Sequence, residues 1–167
     1  MKITVKNVLI ILLPMIIANL VGISLIYYML NDLVLITAIM IILFISITIV
    51  PTIYLLINYL KNDKNLTVLF GSDEIVITSK KSEDVILVKN IENITLNGSK
   101  NIFEKLNIRF STFDDFYYAE IKTTDGKIFI ITNLLSIKLK EQLMENYQGI
   151  EISYNYRLFP SIKYTTK

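Results

Sequence analysis

Hydrophobic patterning divides the chain into two regimes. Residues 8–30 and 33–60 are runs of 23 and 28 positions without a charged side chain, separated only by Asn31 and Asp32. At about 1.5 Å per residue they predict helices of about 34 and 42 Å, against a bilayer hydrocarbon core of about 30 Å. Each is long enough to span, and the second must tilt or carry its last turn into the headgroups. Fourteen residues of the first run are Ile, Leu or Val. At roughly −0.3 to −0.6 kcal/mol each near a helix centre, these outweigh Pro14, Asn19 and Ser24. A cleaved signal peptide would have an apolar region of about 7–15 residues and a small-residue cleavage motif. Here the run is longer, lacks that motif and is followed at once by a second run. The short connection therefore predicts a tight antiparallel helical hairpin.

Beyond Lys61 a period of two takes over. Residues 66–70, 74–79 and 84–89 are β-branched runs separated by the polar segments GSDE and SKKSE, which predicts three short strands. A weaker run over 91–96 ends at the turn-like pair Asn97-Gly98, and Leu106, Ile108 and Phe110 alternate with polar positions. Residues 116–124 and 127–132 flank Asp125-Gly126, the strongest hairpin signal in the chain. The period then lengthens: Leu135, Leu139, Leu143 and Tyr147 recur every four residues. That predicts an amphipathic helix over 134–147, capped by Thr132 or Asn133 and ended by Gly149 in the left-handed conformation. Alternation resumes over 150–158 as a last strand or extended tail, stopped at Pro160.

The expected organisation is a hairpin (1–60), a linker (61–65) and a β-rich domain (66–167) of roughly 100 residues, enough for one core. The expected fold class is membrane-anchored α+β: a transmembrane helical hairpin, then a bent antiparallel sheet or partial barrel closed by one C-terminal helix.

Charge adds orientation. Lys2 and Lys6 precede the first run, Lys61 and Lys64 follow the second, and the connection carries no cation. The positive-inside bias then places both ends in the cytoplasm, where activity is expected, because a two-residue outer loop can recognise almost nothing. Asn19, Ser24, Ser46, Thr48 and Asn58 are polar but uncharged. They point to helix packing or dimerisation, since a transport path would call for an ionisable group. A net charge of +2 with no Lys/Arg-rich run leaves no nucleic-acid footprint.

Composition removes most chemistry. There is no Cys and no His, and only 5 Gly, so disulfides, thiolate metal sites and histidine acid–base catalysis are excluded. No phosphate-cradling glycine loop or metal-ligand cluster is present, and neither enzymatic activity nor a cofactor is expected. Usage rich in Ile, Asn and Lys and poor in Ala points to a bacterium with an AT-biased genome, and so to a bacterial inner membrane.

Two constellations are candidate sites. The segment containing Phe113, Asp114, Asp115 and Phe116 could form an exposed interaction platform or a cation site. The alternative is a turn with solvated acids, after which Phe116–Tyr118 enter the core. Lys61, Lys64, Lys80 and Lys81 could touch anionic lipid, at roughly 1 kcal/mol for each lysine at the surface, although Asp63 and Glu83 intervene. The five-residue linker reaches at most about 18 Å, which by itself keeps the domain at the membrane. The acid pairs Asp73/Glu74 and Glu83/Asp84 lie at turns, and neighbours on a strand point to opposite faces.

Two N-terminal spans, a short basic linker and the segments 66-LTVLFGSDEIVITS-79, 90-NIENITLN-97 and 119-AEIKTTDGKIFIITNLLSIKLKEQL-143 together resemble bacterial membrane proteins that carry a pleckstrin-homology-like (PH-like) domain. The resemblance implies a non-catalytic module that binds a protein partner or self-associates at the inner leaflet. The alternative is a small membrane inhibitor, immunity or regulatory subunit acting through its hairpin. Phosphoinositide recognition in better-known PH domains uses Lys and Arg around the first hairpin loop. Here that loop, Gly71-Ser72-Asp73-Glu74, is acidic, so recognition of a specific lipid headgroup is not carried over. The segment after the helix, 150–159, is not part of the usual domain.

Overall fold

A computed structural model of the chain describes residues 1–30, 34–80, 82–104 and 113–163. The predicted turn at Asn31-Asp32, the strand over 106–110 and Lys81 lie outside them. Helices α1 (Val5–Leu30) and α2 (Val34–Asp63) lie against each other. Gly22 makes their close approach possible, since a Cβ there would sit 2.3 Å from Cζ of Phe44. Nearby, the Thr48 hydroxyl donates to Asn19 Oδ1 at 2.9 Å, and the Asn19 amide nitrogen donates to the Met15 carbonyl at 2.8 Å. A small residue plus an interhelical hydrogen bond is how apolar helices adhere when both are bathed in hydrocarbon. Ser24 and Ser46 turn back to the carbonyls of Leu20 and Ile42. Elsewhere the helices are apolar and bare: Leu20 is 65% and Ile47 70% exposed. Only 11% and 6% of their most apolar stretches is buried, and both helices are long and apolar enough to cross a membrane.

Strands β1 (Thr67–Phe70), β2 (Glu74–Thr78) and β3 (Glu83–Leu87) form one antiparallel sheet in that order. The second sheet uses β4 (Ile91–Gly98), β5 (Tyr117–Thr123), β6 (Ile128–Thr132) and β7 (Ile152–Tyr156), ordered β6-β5-β4-β7. A short helix α3 (Lys100–Glu104) follows β4, and α4 (Leu139–Asn146) precedes β7. The alternating apolar positions of both sheets, including Val68, Ile75, Ile94 and Ile121, meet in one core. The four-residue stripe Leu135, Leu139, Leu143 and Tyr147 packs into that same core. The Tyr147 hydroxyl donates to the Gly71 carbonyl at 3.0 Å, tying the end of α4 to the first hairpin.

Several expectations change. β7 runs parallel to β4, from Ile94 opposite Ile152 to Gly98 opposite Tyr156, so the second sheet is mixed. Passage through β5, β6 and α4 supplies the crossover that parallel pairing requires. Among the described residues no strand ladder joins the two sheets, so they form no closed barrel; α4 packs beside them in the shared core. The helix expected over 134–147 is only Leu139–Asn146, because residues 133–138 are turns. Its expected caps are engaged elsewhere: Asn133 Oδ1 accepts from the Tyr117 amide at 3.3 Å, and the Asn133 side-chain nitrogen donates to the Asp115 carbonyl at 2.8 Å. α4 ends with the Tyr147 amide bonded to the Leu143 carbonyl, without a left-handed Gly149.

Asn97-Gly98 is the end of β4 and not a turn. Gly98 is needed there because a Cβ would lie 2.8 Å from Cβ of Tyr117 and 2.9 Å from the Phe103 ring. The Asp125-Gly126 hairpin forms as expected, with Gly126 at φ +80°. The linker is largely helix, since α2 continues to Asp63. The chain leaves it through Asn65 at φ 65°, a conformation that Asn tolerates better than most residues.

Candidate functional site

The last turns of α2 carry a buried face. Leu55 and Tyr59 are fully buried and Asp63 is 1% exposed, a four-residue spacing that places all three on one side of the helix. With Ile11 of α1, Leu55 and Tyr59 meet Phe116 and Tyr118 of the β5 region, Leu134 and Ile162 in a second hydrophobic core. The rings of Phe116 and Tyr118 approach Tyr59 edge-on, with centroids 5.4 and 6.0 Å away. Burying each such apolar side chain contributes roughly 1.5–3 kcal/mol. The β-rich domain is therefore docked onto the helix pair and does not hang from a tether.

Polar contacts fix the angle of this joint. Asn7 donates to the carbonyls of Leu134 and Leu135 at 3.1 and 3.2 Å. Asn62 donates to the Ile130 carbonyl at 3.2 Å, and the Tyr59 hydroxyl donates to the Pro160 carbonyl at 2.8 Å. Asn58 donates to the Ile162 carbonyl at 3.2 Å and accepts from its amide at 2.9 Å. Asp63, three residues past the apolar run, accepts from the Thr132 hydroxyl and, at 2.8 Å, from the Asn62 amide. Burial disfavours its charged form more than these donors favour it, and lifts its pKa from 3.8 to about 6.

The residues singled out from the sequence occupy distinct places. Residues 113–115 are a turn. Phe113 is half-buried, its ring 5.5 Å from that of Phe159. Asp114 is 4% exposed; its carboxylate accepts from Asn101 at 2.9 Å and its carbonyl from the Ser99 hydroxyl at 3.1 Å. Asp115 is half-buried, and Phe116 is fully buried against α2. The turn is thus a brace between α3, β5 and the joint. The turn and the entry of Phe116–Tyr118 into the core follow the second of the two readings, except that Asp114 is buried and not a solvated acid.

Lys61, Lys64 and Lys80 are exposed. Thr67 stands opposite Thr78, which brings the turn holding Lys80 beside the connection from α2 to β1. These three lysines therefore share the helix-proximal end of the sheet. The loop between β1 and β2, with Asp73, lies at the opposite end. Asp73, Glu74, Glu83 and Asp84 are all exposed. Asn7 and Asn62 were not singled out from the sequence; Asn58 was read for helix packing, Thr132 as a helix cap and Asp63 as an acid among the lysines, none of them for this joint. The available signal was the four-residue spacing of Asn58 with Asn62 and of Tyr59 with Asp63 at the end of an apolar run.

A family model described as PH domain matches residues 2–141, from ahead of α1 into α4. The chain belongs to the PH domain family. No curated protein and no solved structure matches it. PH domains are generally non-catalytic interaction modules. In this PH domain protein the matched stretch includes both long helices, in keeping with their docking onto the sheets. β7 and the segment after it fall beyond the match.

Proposed function

We propose that this protein is a membrane-anchored interaction module without catalytic activity. α1 and α2 cross the inner membrane of a bacterium with both ends in the cytoplasm. The sheets bind a protein partner, or a second copy of the chain, at the inner leaflet. The support is where the helices stop being bare. Cover from the domain reaches Leu12 on α1 and Leu55 on α2. The lengths left uncovered, 13–30 and 34–54, come to about 27 and 32 Å, close to the hydrocarbon thickness of about 30 Å. The surplus of the second run lies in the joint, so neither a strong tilt nor immersion in headgroups is needed. Lys2, Lys61, Lys64 and Lys80 gather at the same end, in accord with the positive-inside bias.

Recognition by the domain is favoured over recognition by the hairpin. Within the helix pair Asn19 and Thr48 bond to each other, and Ser24 and Ser46 bond to their own helices, so these polar groups are already engaged. On the domain, Leu69, Val76 and Val85 lie side by side across β1, β2 and β3. Leu69 is 59% and Val85 52% exposed, which makes an apolar row on the sheet's outer face available to a protein.

Because the chain has no cysteine, Ser72→Cys provides one labelling site at the far end of the domain. A membrane-impermeant maleimide should label it in inverted vesicles and not in intact cells. Labelling of intact cells would refute the orientation, and recovery of the chain in the soluble fraction would refute the anchor. Val85→Glu should abolish crosslinking of the full chain to its partner or to itself; unchanged crosslinking would refute a role for this sheet face.

A further inference from the structure

We propose that the segment after β7, residues 157–163, is an interfacial membrane anchor. It forms a strap along α2 that places Leu158 and Phe159 in the boundary between headgroups and hydrocarbon of the adjoining leaflet. This rests on the membrane reading above. The strap begins where the Arg157 amide donates to the Gly98 carbonyl at 2.8 Å, the last link to the sheet. From there the chain follows the helix, held by the Tyr59 hydroxyl on Pro160 and by both polar ends of Asn58 on Ile162. Ile162 is 4% exposed and belongs to the joint core.

The tip of the strap reaches a level that the helix itself marks. The Phe159 ring lies 5.7 Å from that of Tyr54 and 5.5 Å from that of Phe113. Tyr54 is the residue just beyond Leu55, where the domain's cover of α2 ends and the hydrocarbon begins on the proposed geometry. At this level Leu158 is 78% and Phe159 37% exposed, beside Tyr54 and Ile57 at 55% and 60%. The tip is thus continuous with the apolar outer surface of α2. Aromatic rings at such a depth suit the membrane interface, one side apolar and the other wet. Exposed Lys163 lies just beyond the tip and would face anionic headgroups. Strand β7 then has a structural purpose: its parallel pairing delivers the chain to the helix end of the domain.

The chain contains no Trp, so Leu158→Trp makes a lone reporter at an exposed position. The full-length variant would be reconstituted in phosphatidylcholine–phosphatidylglycerol vesicles, with bromine on the lipid chains near the glycerol or near the chain ends. The indole emission should shift to the blue and be quenched most by bromine near the glycerol. Ile47→Trp, on the bare middle of α2, should be quenched most by bromine near the chain ends, and Val85→Trp on the outer sheet face by neither. No quenching at position 158 with normal quenching at 47 would overturn the anchor, leaving the tip in water or against a protein. No quenching at either position would overturn the membrane reading itself.

Discussion

Replacing Asp63 with Asn should stabilise the protein at neutral pH and flatten the dependence of its stability on pH. The wild-type carboxyl is 1% exposed and titrates near 6, against an ordinary 3.8. In the unfolded chain it returns to that ordinary value. Between the two values the folded protein holds a proton that the unfolded chain lacks, so stability falls as pH rises. The contribution is fully present below about pH 4 and is lost as pH climbs through about 6. The gap of about two pH units, at about 1.4 kcal/mol each, amounts to about 3 kcal/mol. Asn carries no charge and keeps one carbonyl oxygen for Thr132, and losing the other acceptor costs about 1 kcal/mol. A net gain of about 2 kcal/mol at pH 7 follows from these two figures. The assay is urea unfolding of the full chain in micelles, followed by tyrosine near-ultraviolet dichroism between pH 4 and 8, with exposed Asp125→Asn as a control. The wild-type midpoint should fall across this range while that of Asp63→Asn stays level and lies above it at pH 7. Parallel curves, or an Asp63→Asn protein weaker at neutral pH, would mean that the joint stabilises the charged carboxylate, and the burial argument would be wrong.

Other perturbations read different parts of the molecule. Leu55→Ala should cost roughly 2–5 kcal/mol in the joint alone, seen as faster amide exchange over residues 130–134 with Ile94 and Ile121 still protected. Gly126→Ala has open space around its new methyl but a φ of +80°, so it should lower stability by about 1–2 kcal/mol from backbone strain; an unchanged urea midpoint would contradict this. Gly22→Ala should drive the helices apart against the Phe44 ring and lower the melting temperature in detergent, and adding Phe44→Ala should recover much of the loss. Asn58→Ala leaves both backbone groups of Ile162 without this partner, and should speed tryptic cleavage after Arg157; wild-type resistance would argue that the strap is held by packing alone.

What the amino-acid order determined by itself is what depends on near neighbours. The apolar run lengths specify two long helices, because helix rise is fixed per residue. Alternation specifies all seven described strands to within two residues at each end, though not that β7, expected over 150–158 as a last strand or extended tail, runs parallel to β4. Asp125-Gly126 specifies its turn, because few residues accept a positive φ. The stripe from Leu135 to Tyr147 specifies which side of the last helix is buried, though not where that helix begins. Its start depended on Asn133, whose side chain is committed to β5.

The tertiary structure alone decided the joint. Asp63 finds Thr132 across 69 positions and Asn58 finds Ile162 across 104, separations to which a pattern of two or four residues is blind. Lys61, Asn62 and Asp63 read as a polar linker because polar residues usually face water. Asn62 and Asp63 joined the face that meets the sheets only when the sheets packed against α2, while Lys61 stayed exposed. Likewise Asp114 read as a solvated acid in a turn and is buried, its carboxylate accepting from Asn101 and its carbonyl from Ser99. A periodic pattern says which side of an element avoids water, whereas the surface that covers that side is chosen by the free energy of the whole assembly.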